Sequence, residues 1–341
     1  MTIKCCDFLV HEIAFYKDSI RPCCSFSIEG DKTPFVNDYN GDIEKFKLYL
    51  EKRAFFIKQF QEGSVPFCYP ACTTYEPKKD DKISFQLKNI IISNYTKCSC
   101  NCIYCEQAAY GRDKKYKRWL NKRICYDIKP LLFYLRENNY IQKNCRFIIC
   151  GGECSEYPKG ELDWLIYFAN QCKGNLLILS SGINYSTAIE KALINGNTIL
   201  KISTDSGTKE TYEKIKRVKA FDNVCKNIKR YSQNILFDNG SRIELKYIII
   251  PNVNDNVEEI AAFLDLAKMA NIKHIVVDIE HEWIKNNKQT CDKNKFTILL
   301  NYFFEHKTED MHVSMEGVED SWLWSFVKDE YNYKKVVKHE I

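Results

Sequence analysis

At 341 residues the chain can bury one large core, or one core with a small appended domain. Apolar content of 45% and charged content of 28% exclude a disordered chain, and a net charge of +5 with no clustered basic run implies no nucleic-acid partner. Seventeen cysteines stand out. A secreted disulfide scaffold would need a signal peptide, yet Asp7, His11 and Glu12 interrupt the first apolar stretch, so no h-region is read there. Nothing approaches the roughly 18 apolar residues of a membrane span. The expectation is therefore a cytoplasmic protein whose thiols hold metal.

In chain order, residues 1–80 carry Cys5, Cys6, Cys23, Cys24, Cys68 and Cys72. One cysteine from each adjacent pair, with Cys68 and Cys72, supplies four thiolates. Four thiolates close an iron–sulfur cluster or a structural zinc site, and both readings stay open. From about residue 88, short β-branched runs alternate with amphipathic stretches. Strands are expected at Asn89–Ser93, Arg146–Cys150, Leu176–Ser180, Thr198–Thr204, Ile243–Ile250 and His274–Glu280. Helices are expected at Asp127–Asn138, Glu161–Cys172, Thr187–Asn195, Lys209–Arg217 and Asn256–Ala270. Six strand–helix units in series predict an α/β fold, a partial (β/α)6 parallel TIM-like barrel with its chemistry on the loops after the strands. Helical periodicity returns at Phe296–Phe304, followed by the aromatic cluster Trp322–Phe326. The domain expectation is a cysteine-rich module over 1–80, the barrel over 81–280 and a helical cap over 281–341.

The loops after the expected strands carry the motifs. The first holds Cys98-x3-Cys102-x2-Cys105 with Tyr104 before the last cysteine. A cubane cluster normally takes four thiolates, so three on one loop leave one iron open. Cys100 offers a competing set with Cys102 and Cys105. The second loop is Gly151-Gly152-Glu153, where paired glycines leave the backbone open to close approach. The third is Ser180-Ser181-Gly182. The fourth is Ser203-Thr204-Asp205-Ser206-Gly207, in which Asp205 reads equally as a ligand contact or a helix N-cap. The following helix ends in Lys216 and Arg217, either of which suits a carboxylate or a solvated helix end. The fifth is Pro251-Asn-Val-Asn-Asp255. Cys154 is placed at the mouth of the site, and the other scattered cysteines are read as core.

These motifs resemble, over roughly residues 88–280, the radical S-adenosylmethionine (SAM) superfamily. The resemblance implies a [4Fe–4S] cluster on Cys98, Cys102 and Cys105, with SAM held near Tyr104, Gly151, Gly152, Glu153, Ser181, Ser203, Asp205, Lys216 and Arg217. Residues 1–80 resemble the auxiliary-cluster module called SPASM or its twitch form, placed before the barrel rather than after it. That likeness implies a second [4Fe–4S] cluster drawn from Cys5, Cys6, Cys23, Cys24, Cys68 and Cys72. The implied activity is reductive cleavage of SAM to a 5′-deoxyadenosyl radical that takes hydrogen from a substrate. It implies an external one-electron donor such as a flavodoxin or ferredoxin, and a peptide substrate preferred over a sugar or small metabolite. The alternatives are a non-catalytic iron–sulfur electron carrier or sensor, and a zinc-stapled binding protein.

Overall fold

The structure, a computed structural model, describes residues 7–23, 36–62, 86–105, 125–234, 242–280 and 293–316. Its strands are mostly parallel. The chain divides into two compact units, one of residues 1–97 and 118–177 and the other of residues 98–117 and 178–341.

The first unit opens with α1 (Asp7–His11), β1 (Glu12–Tyr16), β2 (Ile20–Arg21) and α2 (Ile43–Gln61). It continues with β3 (Leu87–Ser93), α3 (Lys129–Glu137), β4 (Ile141–Ile149) and α4 (Glu161–Gln171), and β5 (Asn175–Ser180) begins in it. Strand order is β2-β1-β3-β4. β1 and β3 run parallel with Ile13 opposite Ile90 and Phe15 opposite Ile92, and β3 continues the pattern with Ile90 opposite Phe147. These are runs of buried apolar residues, as a parallel strand covered on both faces demands.

β1, β2 and α2 lie inside the segment expected to be a cysteine-rich module, and they extend the series of strands beyond the six expected. α2 presents Phe46, Tyr49, Leu50 and Ile57 as a buried stripe at helical spacing. Phe46 meets Phe15 of β1 at 5.8 Å between ring centroids. From the same stripe the buried Arg53 donates through Nη2 to the carbonyls of Leu9 at 3.1 Å, Val10 at 2.5 Å and Glu12 at 3.2 Å. One guanidinium thus satisfies the end of α1 and the start of β1, where carbonyls lack helical partners.

The second unit holds α5 (Thr187–Ile194), β6 (Thr198–Ser203), α6 (Lys209–Lys216), α7 (Phe221–Asn234), β7 (Ile243–Ile249), α8 (Val257–Met269), β8 (His274–Ile279), α9 (Lys293–His306) and β9 (His312–Met315). β6, β7, β8 and β9 are neighbours in that order and all parallel. Tyr247 of β7 packs edge-on against Phe263 of α8 at 5.0 Å and Phe303 of α9 at 5.5 Å. Ser186 caps α5 and Asn256 caps α8 through side-chain oxygens. Gly196, at φ +97°, closes α5 in the left-handed region. All six expected strands and all five expected helices of the middle region are present, with ends moved by a few residues.

No helix among the described residues is long and apolar enough to cross a membrane. Of the expected module ligands, Cys5, Cys6, Cys24, Cys68 and Cys72 lie outside the described residues, while Cys23 is buried. Trp322–Phe326 also lies outside them.

Candidate active site

In the first unit, β3 runs out through Asn94 to Lys97 before the chain reaches Cys98. Against this exit lies the Gly151-Gly152 turn, with both glycines at positive φ, +76° and +52°. A Cβ on Gly151 would meet Ser93 Oγ at 2.4 Å, and one on Gly152 would meet the Lys97 carbonyl oxygen at 2.5 Å. The bare backbone that the sequence suggested for a ligand is therefore spent first on the chain's own approach to the cysteine loop. Glu153 N donates to the same Lys97 carbonyl at 2.8 Å. The Glu153 side chain is buried, and its Oε1 accepts from Ser155 N at 3.0 Å and Ser155 Oγ at 2.7 Å, capping the short 3-10 turn Cys154–Glu156. Cys154 is fully buried with its Sγ 3.4 Å from the Ile149 carbonyl, so it does not face a site mouth.

The second unit contains the cysteine loop itself. Its backbone docks on the C-terminal end of α6: Asn101 N donates to Lys216 O and Ile103 N to Ile215 O, both at 3.0 Å. Carbonyls left unpaired at a helix end are thereby used to hold the loop. Cys105 N then closes a turn onto Cys102 O at 3.2 Å. Cys98 and Cys105 are half-buried, Cys102 is buried, and none is in a disulfide. Cys100, the competing thiol of the sequence, is half-buried on the same loop, near enough to Cys98 and Cys102 to interact with both. Among the described residues, no three His, Cys, Asp or Glu side chains are gathered tightly enough to hold a metal ion. Cys98, Cys102 and Cys105 nevertheless bring three thiols onto one half-buried loop.

Tyr104 leads from the loop into a buried polar knot. Its hydroxyl donates to Asp205 Oδ2 at 2.5 Å and accepts from Lys216 Nζ at 2.8 Å, while Lys216 Nζ also pairs directly with Asp205 Oδ2. Both charged side chains are buried, 2% exposed for Lys216 and 0% for Asp205. Burial opposes the ammonium of Lys216, but Asp205 outweighs it and holds that group above the ordinary lysine range. Burial and the Asp205 carboxylate together push the Tyr104 phenol well up, so it stays protonated as a donor.

Asp205 itself sits at φ 56°, a left-handed conformation that aspartate tolerates better than most residues. It is fastened on three sides. Its N donates to Lys246 O at 3.2 Å, its Oδ1 accepts from Ile248 N at 3.0 Å, and its carbonyl accepts from Asn254 Nδ2 at 2.8 Å. The helix-cap reading of Asp205 is corrected here: Thr208 caps α6, its Oγ1 accepting from Thr211 N at 3.4 Å. Glu259 of α8 clasps the same turn, accepting from Ser206 Oγ at 2.9 Å, Gly207 N at 3.2 Å and Thr208 Oγ1. Gly207 is needed because a Cβ there would lie 2.0 Å from Phe263 N.

The remaining expected contacts are also placed. Ser181 is half-buried with its Oγ 3.5 Å from Ile183 N, and Ser203 is half-buried at the end of β6. Arg217 is exposed at φ 54°, ending α6. Two further residues prove central. The Asn254 amide links Asp205 to β7, with Oδ1 accepting from Ile250 N at 2.7 Å and Nδ2 donating to Ile248 O at 2.8 Å. The Asn227 amide donates to Gly182 O and Ile183 O, both at 2.9 Å, bracing the third loop. Asn254 was marked by its Pro-x-x-Asn turn; Asn227, mid-helix in α7, carried no signal.

No protein-family model matches the sequence, and no curated protein matches it. Solved structures do share its fold. SuiB of Streptococcus suis bound to its precursor peptide SuiA is similar at a TM-score of 0.53, with 14% identity over 86% of this chain and 58% of SuiB. SuiB bound to S-adenosylmethionine gives 0.50, with 14% identity over 83% of this chain and 58% of that one. The enzyme anSMEcpe with bound AdoMet gives 0.50, with 15% identity over 67% of this chain and 61% of its own. The chain thus spans less than two thirds of the length of these structures, and at this identity the likeness is one of fold.

Proposed function

We propose that this chain is a radical SAM enzyme, with Cys98, Cys102 and Cys105 holding the SAM-binding [4Fe–4S] cluster. The observation that carries the reading is the cysteine loop, set after β3 in the family spacing and fastened to the end of α6 by Asn101, Ile103 and Tyr104. The shared fold with SuiB and anSMEcpe, both solved with SAM, supports it. SuiB with its precursor peptide supports a peptide substrate over a sugar or metabolite. The bound group would supply one electron to SAM, releasing methionine and a 5′-deoxyadenosyl radical for hydrogen abstraction.

The chain's own part is positional. Two backbone hydrogen bonds fix the loop's direction, and the Tyr104 hydroxyl, kept protonated, ties its last turn to Asp205 and Lys216. With these two charges saturating one another, the exposed Arg217 is the cation proposed for the SAM carboxylate. Gly151–Glu153, Ser181 and Ser203 remain the proposed SAM contacts from sequence, and a flavodoxin or ferredoxin the proposed electron donor. A second cluster, drawn from Cys5, Cys6, Cys23, Cys24, Cys68 and Cys72, remains part of the proposal.

The test is anaerobic reconstitution with iron and sulfide, then dithionite and SAM, beside a Cys98/Cys102/Cys105→Ala triple variant. 5′-Deoxyadenosine from the wild type alone is the expected result. A brown protein that makes none with candidate peptides present would favour an electron carrier. A colourless, zinc-loaded protein would overturn the proposal.

A further inference from the structure

One face of the second unit's sheet is charged. Tyr247 turns toward α8 and α9, so by strand alternation Glu244 and Lys246 turn to the opposite face. There they meet Lys201 of β6, Asp278 of β8 and Glu316 just beyond β9. Lys201 pairs with Glu244 at 3.2 Å and with Glu316 Oε1; Lys246 pairs with Asp278 at 2.6 Å and with Glu316 Oε2 at 3.3 Å. A parallel sheet normally buries apolar residues on both faces, and buried charges are costly unless paired. Neither rule explains a third carboxylate on two lysines.

The members differ in burial. Side-chain exposure is 7% for Lys201, 12% for Glu244, 5% for Asp278 and 17% for Lys246, but 44% for Glu316. Without Glu316 the other four are two ion pairs, electrically balanced. Glu316 adds one further negative charge, each of its oxygens facing one ammonium, and it is the exposed member. Its carboxylate therefore marks a position where two lysines, each already neutralised from behind, together accept one anion.

We propose that Lys201 and Lys246 form a binding site for an organic carboxylate, and that Glu316 occupies the site until the ligand's carboxylate replaces it. The exchange leaves the charge of the cluster unchanged, so neither lysine is ever unpaired. Inorganic anions are a poorer match, because the two ammonium groups face separate oxygens of one planar group. The carboxylate source is a peptide C-terminus, an acidic side chain or a small acid. This inference rests on the sheet face alone and is read by binding, so it fails or stands apart from the radical SAM reading.

The test is calorimetric titration of the purified full chain with a short N-acetylated peptide ending in a free carboxylate. Its C-terminal amide and the amide carrying an internal glutamate are the comparison probes. Loss of the carboxylate should weaken binding about tenfold or more, the scale of one charged hydrogen bond. Glu316→Ala should tighten binding by a similar factor, and Lys201→Gln should abolish the preference for a carboxylate. Tight binding of the internal-glutamate amide would identify an acidic side chain as the source and equally support the site. Should Lys201→Gln not fold, Glu316→Ala decides alone. Equal affinity for the acid and its plain C-terminal amide, no binding by wild type and Glu316→Ala alike, or no tightening in Glu316→Ala would overturn the proposal.

Discussion

Replacing Lys216 by Met keeps the aliphatic stem and removes only the ammonium. Asp205, 0% exposed, then loses its counter-charge. Breaking a buried pair from one side costs about 3–5 kcal/mol, because a charge is left stranded in a poorly polarisable site. The lower end applies here, since Asp205 keeps Ile248 N at 3.0 Å and the Tyr104 hydroxyl at 2.5 Å as donors. A loss of about 3 kcal/mol is roughly a hundredfold in the folding equilibrium. Anaerobic urea titration followed by far-ultraviolet circular dichroism reads it as a shifted midpoint at unchanged slope. The double variant Lys216→Met with Asp205→Asn should recover much of the loss, because no charge is then stranded. The Lys216 ammonium is held above its ordinary 10.5, so its contribution is complete below that pH and is lost only as pH rises through the higher folded value. The single-variant loss should accordingly be flat between pH 6 and 9. A Lys216→Met midpoint indistinguishable from wild type, or a double variant whose loss equals the sum of the singles, would refute the reasoning.

Three other outcomes follow from the same geometry. Gly207→Ala places a Cβ 2.0 Å from Phe263 N and 2.3 Å from Ala262 C, both backbone atoms with no side chain to rotate away; overpacking costs about 1–3 kcal/mol or more, and a thermal midpoint several degrees lower is expected. Burial raises the Glu316 carboxyl, but Lys201 and Lys246 outweigh it and hold it at about 2 instead of 4.5. Its stabilisation is therefore complete above pH 4.5 and lost as pH falls toward 2, so the acid-unfolding curves of wild type and Glu316→Ala should converge only over that range. Iron analysis after reconstitution separates the two thiolate sets: Cys98→Ala should lose the SAM-binding cluster's iron and Cys100→Ala should retain it, and the reverse would reassign the ligand.

Much of the middle of the fold was legible because its signals are local. Tyr247-Ile-Ile-Ile250 reads as a covered parallel strand, and Asn195-Gly196 as a helix end, without knowledge of any neighbour. The N-terminal region was read differently, because its cysteines drew attention from the stripe of Phe46, Tyr49, Leu50 and Ile57. Glu12–Tyr16 is only five residues long, and what makes it a strand is the pairing with β3. The same holds for His312–Met315, four residues that pair along β8.

The candidate site divides along the same line. Chain order alone yields the cysteine spacing, the tyrosine beside the last cysteine and the paired glycines, because a donor set on one loop needs no distant partner. It cannot yield which side chains Asp205, Lys216 and Glu316 meet. Tyr104 is separated from Asp205 by 101 positions, and Lys201 from Glu316 by 115. Whether such charges are solvated, paired or stranded depends on burial and on the groups that the parallel strands bring alongside. Tertiary packing turned Lys216 from a candidate ligand contact into half of a buried ion pair, and turned Gly152 from an open backbone into the seat of its own chain. It also gathered five charges on one sheet face, because strand alternation sends every second residue to the same side and only the neighbouring strands supply its partners.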